Sequence, residues 1–185
     1  MAFDHKHLID ITEYSADDIM TILETAKTFK QVNERRIKKV PTLKGFTVVN
    51  MFNEPSTRTR LSFESAMLSL GGKVLGVASA ESSSASKGET VADTVRVVSC
   101  YSDIIAMRHP KEGAPLVASM YAQVPVINAG DGGHNHPTQT LTDLLTIHRE
   151  MGRFENLTVG LCGDLKFGRT VHSLIGAMSR YEGVE

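Results

Sequence analysis

The chain has 185 residues, long enough for one well-buried domain and part of a second, and its 20 basic against 21 acidic residues leave a formal net charge of −1. That balance argues against a general nucleic-acid or anionic-membrane binder, which would be clearly basic. Its 2 cysteines, Cys100 and Cys162, make no spaced framework, the first seven residues lack the apolar core of a signal peptide, and no apolar run is long enough for a bilayer. A reduced, cytoplasmic setting is the expectation.

In chain order, Ser15 with Asp18 forms a capping box, and Ile19, Ile22, Leu23, Ala26 and Phe29 make one helical face. Strand-like and helix-like segments then alternate. The pattern predicts strands at Phe46–Phe52, Lys73–Ser79, Asp103–Met107, Val124–Asn128 and Leu157–Cys162. Helices are predicted at Thr59–Leu70, Gly88–Tyr101, Ala114–Tyr121, Pro137–Met151 and Arg169–Arg180. This alternation implies an α/β fold, a mostly parallel sheet with helices on both faces. The Ser-rich segment Ser82-Ser83-Ser84-Ala85-Ser86 is the main flexible candidate. The strand and helix after Leu157 cannot bury their own apolar faces, so the second unit reads as incomplete and the chain as a fragment.

The richest chemistry lies between the first strand and its helix, at Phe52-Asn53-Glu54-Pro55-Ser56-Thr57-Arg58-Thr59-Arg60. Small hydroxyl residues open a helix there, where backbone N–H groups have no intrahelical partner and the helix dipole favours an anion. Arg58 adds a planar fork suited to phosphate oxygens. Arg60, two residues on, diverges from it and reads as a structural ion-pair former. Ser56 and Thr59 taken singly are ordinary caps; the run of hydroxyls favours binding. Other polar loops follow the strands: Glu81 to Glu89 with Ser83 and Lys87, Arg108-His109-Pro110, Ala129 to Gln139, and Gly163 to Arg169. Ligands of open α/β sheets bind outside the carboxyl ends of the strands, so these loops can converge on one pocket for a dianionic or phosphorylated small molecule. Lys87 and Arg108 also have bland readings, as a solvated charge and a surface pair. His134, His136 and Asp131 are weak support for a metal, and a hydrogen-bonding role is preferred. His136 precedes Pro137 and is thereby held extended, which can aim its ring into the pocket. His5, His7, His148 and His172 read as structural or exposed. No dinucleotide fingerprint or P-loop is present.

Ser56-Thr57-Arg58-Thr59-Arg60, Met107-Arg108-His109-Pro110, His136-Pro137-Thr138-Gln139 and the run from Gly163 to Ser173 resemble motifs of the aspartate carbamoyltransferase catalytic chain, in family order. The first motif alone would indicate only some carbamoyltransferase. The loop around Lys87, Thr138 where ornithine enzymes typically carry cysteine, and Arg169 favour aspartate over ornithine as acceptor. The resemblance implies a carbamoyl-phosphate domain over residues 1–150, including the interdomain helix, and the start of an aspartate domain over 151–185. It implies carbamoyl transfer to L-aspartate, a step of pyrimidine biosynthesis, without metal or organic cofactor. Ser56, Thr57, Arg58 and Thr59 would hold the phosphate, Arg108 the phosphate and carbonyl, His136 and Thr59 the carbonyl oxygen, and Gln139 the carbamoyl amide. Ser83 and Lys87 would enter from an adjacent subunit of a homotrimer, and Lys87 and Arg169 would bind aspartate. Glu54 resembles a residue of interdomain pairing. Regulatory chains are a further partner class in the family. His134 departs from the commoner family loop and reads as local variation. With the rest of the aspartate domain missing, the expectation is weak carbamoyl phosphate binding and poor turnover. An ornithine-type acceptor and a non-catalytic phosphate-binding module are the competing readings.

Overall fold

The computed structural model describes residues 3–77 and 87–185, and it begins the first helix at the predicted cap. Ser15 Oγ accepts the Asp18 N–H at 3.1 Å while Asp18 Oδ2 accepts the Ser15 N–H at 3.0 Å, a reciprocal capping box. From there α1 runs over Ala16–Asn33 and buries Ile19 and Leu23. The β-strands β1 (Thr47–Phe52), β2 (Lys73–Val77), β3 (Ile104–His109) and β4 (Val126–Asp131) then alternate with α2 (Thr57–Ser69), α3 (Val91–Ser99), α4 (Ala114–Tyr121) and α5 (Pro137–Met151). A last helix, α6, spans Arg169–Met178.

All strand pairs are parallel, in the order β2-β1-β3-β4. Strand alternation sorts the side chains into two layers. Val49, Met51, Ile105 and Met107 pack on Val95 of α3 and Ala118 of α4, whereas Val48, Phe52 and Ala106 pack on Met67 of α2. Helices therefore cover both faces, as a parallel sheet requires. A third core joins α1, Leu144 of α5, and Ala177 and Met178 of α6 to Ile11, Tyr14, Phe154, Leu157 and Tyr181. Because β1 sends one neighbour to each side, chain order reverses between β1 and β3, and their carboxyl ends open a crevice.

Several boundaries moved for local reasons. Helix α2 starts two residues earlier than predicted, with Ser56 as its extended N-cap. Helix α3 starts only after Thr90, whose side chain accepts the Asp93 N–H, so Gly88–Thr90 stay outside it. Strand β4 begins beyond Pro125, which has no N–H to give, and runs on to Asp131. The expected strand Leu157–Cys162 is not one. A strand needs a laterally bonded partner, and among the described residues this segment has only the far end of the chain. Glu185 N–H donates to Leu157 O at 2.9 Å and Glu185 O accepts the Val159 N–H at 2.7 Å. An unexpected addition lies at the β4 edge of the sheet. Leu8 N–H donates to Val126 O at 2.9 Å and Leu8 O accepts the Asn128 N–H at 2.8 Å, laying the amino-terminal segment along β4. His7 Nδ1 accepts the Val126 N–H at 3.1 Å, a structural use of that ring.

The Ser-rich segment with Ser83 lies outside the described residues, as does the predicted end of β2 at Ser79. No described helix is long and apolar enough to cross a membrane, and Cys100 and Cys162 are free and exposed.

Candidate active site

Helix α2 begins at the carboxyl end of β1 with its first turn uncapped: Ser56 makes no side-chain cap bond, and its Oγ lies 3.0 Å from Thr59 Oγ1 instead. The first intrahelical bond is Arg60 N–H to Ser56 O at 3.2 Å. The N–H groups of Thr57, Arg58 and Thr59 precede it, so the dipole end of a 13-residue helix faces the crevice with donors to offer. Arg58 lines the cleft, whereas Arg60 turns away and pairs through Nε with Glu64 Oε1 at 2.8 Å. Helical geometry separates two arginines two residues apart.

The cleft measures about 620 Å³ and is lined by Ser56, Arg58, Thr59, Arg108, His136, Thr138, Gln139 and Arg169 with Phe63 and Ala66 behind them. Arg108, the penultimate residue of β3, is only 7 % exposed, which excludes the surface-pair reading. Its Nη1 donates to Ala129 O at 3.3 Å and its Nη2 pairs with Glu54 Oε1. The same carboxylate oxygen takes Arg169 Nη2 at 3.2 Å, and Arg169 Nη1 donates to Gly132 O. Glu54 thus lies between two guanidinium groups. Burial alone would push its carboxyl up, but the Arg169 hydrogen bond and the charge of Arg108 outweigh it and hold it below the usual carboxylate range.

His136 is the N-cap residue of α5, just before Pro137 at the first helical position. Buried Asp131 sets the loop leading to it, accepting N–H bonds from Gly113 at 2.8 Å and Asn135 at 3.0 Å. Ser173 Oγ accepts the His136 backbone N–H at 3.1 Å. The imidazole pKa falls from 6.5 to about 4, first because burial disfavours the charged form and then because Arg169 and Arg108 repel a third cation. His136 is therefore neutral at pH 7, a hydrogen-bond donor and a poor base. Its Nδ1 lies 3.2 Å from Thr138 Oγ1, leaving Nε2 for a ligand. Gln139 donates to Asp143 Oδ1 at 2.8 Å along the helix, with its side chain at the cleft wall.

Some expected residues are not brought together. Thr57 is exposed and its side chain does not line the cleft, so only its backbone N–H is placed to serve an anion. Lys87 is exposed and outside the cleft of its own chain. His134 Nδ1 lies 3.3 Å from Asp131 Oδ2, and no group of three or more metal-ligating side chains forms among the described residues.

Gly130 was missed by sequence reasoning. Between Met107 and His109 the β3–β4 register shifts by one residue, and the bulge on β4 places Gly130 at φ +113°. A Cβ there would lie 3.0 Å from Arg108 Nη1, 3.3 Å from His136 Cδ2 and 3.4 Å from Arg169 Cζ. Glycine lets three functional side chains meet at one point. Asn128 Oδ1, accepting the Gly130 N–H at 2.8 Å, fixes the bulge. The only signal was the Gly-rich run from Gly130, which does not distinguish a bulge from a turn.

With this geometry in place, the comparisons with known proteins are direct. Residues 6–149 match the family model described as aspartate/ornithine carbamoyltransferase, carbamoyl-P binding domain. The chain belongs to this family. It is 62 % identical over 184 residues to the aspartate carbamoyltransferase catalytic subunit of Lachnoclostridium phytofermentans, covering 97 % of this chain and 58 % of that one. The Clostridium kluyveri catalytic subunit is 61 % identical over 177 residues, with 96 % and 57 % covered. Aspartate transcarbamoylase of Trypanosoma cruzi, solved with carbamoyl aspartate and phosphate, superposes with a TM-score of 0.90 at 41 % identity, covering 97 % of this chain and 58 % of that one. The catalytic subunit of the M. jannaschii enzyme gives 0.89 at 50 % identity, with the same coverages. The chain thus spans less than three-fifths of the length of these relatives.

Proposed function

We propose that this chain carries the carbamoyl phosphate half of an aspartate carbamoyltransferase catalytic chain. In this reading residues 1–150 bind carbamoyl phosphate and residues 151–185 begin the aspartate domain. The observation that carries it is the convergence of the uncapped α2 terminus, Arg58, Arg108 and neutral His136 on one cleft. The phosphate sits on the hydroxyls of Ser56 and Thr59 and the backbone N–H groups of the first α2 turn, that of Thr57 included, with the Arg58 fork. Arg108 bridges phosphate and carbonyl. The carbonyl oxygen accepts from His136 Nε2, Thr59 and Arg108, and Gln139 orients the carbamoyl amide.

The neutral amine of L-aspartate attacks the carbonyl carbon, giving a tetrahedral intermediate. Its collapse breaks the C–O bond to phosphate, and the departing phosphate takes the proton released by the amine. The protein's task is orientation and stabilisation of the developing oxyanion. A neutral imidazole suits this task, because it donates without competing for the amine's proton. Arg169, and Lys87 with Ser83 from a neighbouring subunit of a homotrimer, complete the acceptor site. Two further cations favour a dicarboxylate over ornithine, whose side chain is itself cationic. The relatives named above support aspartate as acceptor.

Carbamoyl transfer by the full-length chain, with aspartate and ornithine as parallel acceptors, tests the proposal. Carbamoyl aspartate as the sole product is expected. Product with ornithine alone would overturn the roles of Lys87 and Arg169. Carbamoyl phosphate binding without product from either acceptor would favour a non-catalytic module.

A further inference from the structure

One stripe of α6 grips the rest of the chain through polar groups. Arg169, Ser173, Gly176 and Arg180 recur at i, i+4, i+7 and i+11, one side of a 3.6-residue helix continued past its cap. Arg169 bonds Glu54 and Gly132 O in the cleft. Ser173 Oγ meets the His136 N–H at 3.1 Å and Asn135 Oδ1 at 3.0 Å. At Gly176 a Cβ would lie 3.1 Å from the Thr12 methyl, so the helix sits closely on the 3-10 turn Ile11–Glu13. At the far end the Arg180 guanidinium donates one Nη to Ile11 O at 3.1 Å and the other to Tyr14 O.

The turn that Arg180 grips is well anchored. Asp10 Oδ1 accepts the Thr12 N–H at 2.8 Å, Tyr14 Oη donates to His7 O at 2.6 Å, and Ile11 is fully buried. Beside the polar stripe, Ala177, Met178 and Tyr181 share a core with Ile11 and Tyr14. Apolar contact is non-directional, so it holds α6 down without fixing its axis. A planar fork on two carbonyls does fix it.

We infer that Arg180 is a positioning residue for the proposed transfer: its grip on the Ile11 and Tyr14 carbonyls sets the axis of α6 and so the place of Arg169 in the cleft. The inference rests on the reading of Arg169 as an acceptor-binding group. With its Arg180 end released, α6 tilts about the Ser173 bonds; at 1.5 Å per residue Arg169 lies about 6 Å beyond that pivot, so a tilt of roughly 10° moves it by about 1 Å. A displacement of about 1 Å in a positioning group is enough to cost on the order of a hundredfold in rate.

The test uses the full-length chain with Arg180→Ala and Arg180→Lys, the second keeping the charge and stem but not the fork. The first readout is the Arg169 Nε–H resonance, assigned by its loss in Arg169→Lys; the second is the KM for aspartate beside the Kd for carbamoyl phosphate. Arg180→Ala should shift the resonance and raise the aspartate KM about tenfold or more while the carbamoyl phosphate Kd stays within about twofold, with Arg180→Lys intermediate. A folded Arg180→Ala or Arg180→Lys with the Arg169 resonance unmoved overturns the pivot. A moved resonance with an unchanged aspartate KM, or a parallel loss for both substrates, overturns the positioning role in favour of a purely structural one. If Arg180→Ala does not fold, Arg180→Lys decides on the same criteria. If the wild-type chain does not use aspartate, the acceptor reading fails and the positioning role falls with it, while the resonance separately reports whether the mechanical coupling exists.

Discussion

Replacing Gly130 by alanine tests whether the bulge in β4 creates the cleft. The new methyl carbon would sit 3.0 Å from Arg108 Nη1, with His136 Cδ2 at 3.3 Å and Arg169 Cζ at 3.4 Å, on a backbone at φ +113°. The backbone strain is worth about 1–3 kcal/mol. Moving Arg108 also loses its bond to Ala129 O, worth about 1 kcal/mol more. A total of roughly 2–4 kcal/mol lowers Tm by about 5–15 °C in a chain of this size. Carbamoyl phosphate affinity, followed by calorimetry, should fall by a further factor on the order of a hundred, because Arg108 and His136 are displaced together. Gly45→Ala is the control: Gly45 has φ +98° but nothing within 4 Å of the added carbon, so it reports strain without collision. It should lower Tm and leave binding unchanged. A Gly130→Ala protein that keeps the wild-type Tm and affinity would refute the steric reasoning.

Arg58→Ala should abolish carbamoyl phosphate binding with stability within about 0.5 kcal/mol of wild type, because the side chain is exposed; unchanged calorimetric binding would sink the cradle. Stability should fall as pH drops from 6.5 towards 4, since the unfolded state then protonates His136 while the folded state, with its pKa depressed to about 4, does not. The loss is at most roughly 3 kcal/mol, fades out within about a unit above pH 6.5, and should be visible as a lower urea midpoint at pH 5 than at pH 7. In His136→Gln that pH difference should shrink, and an unchanged difference would assign it elsewhere. Mixing inactive Arg58→Ala and Lys87→Ala full-length chains should restore part of the activity if, as proposed, sites are shared between subunits. No recovery after verified subunit exchange would count against a shared site.

The sequence by itself determined the elements whose signals are local. The Ser15–Asp18 box, the apolar face of α1, and the Gly and Pro punctuation around α4 and α5 depend on neighbours within a few residues, and those helices lie where the pattern puts them. The α2 terminus was legible for the same reason: hydroxyl residues directly after a β-branched strand are a short-range pattern. Arg58 and Arg60 could likewise be told apart, because helical pitch alone sends them different ways. Leu157–Cys162 had strand composition without a strand's bonds, since pairing is a property of two segments and not of one.

Only the tertiary structure decided how the distant groups meet. Glu54 and Arg108 are 54 residues apart and Glu54 and Arg169 are 115 apart, yet all three share one carboxylate oxygen because the loop after β1, the end of β3 and the start of α6 meet at the crevice. The neutral state of His136 follows from burial beside two guanidinium groups, neither of which is its sequence neighbour. Gly130 is demanded by the register between β3 and β4, and Arg180 by carbonyls at the opposite end of the chain. Local residue chemistry is written in the order of the chain; the electrostatics of the cleft depend on distances that only folding sets.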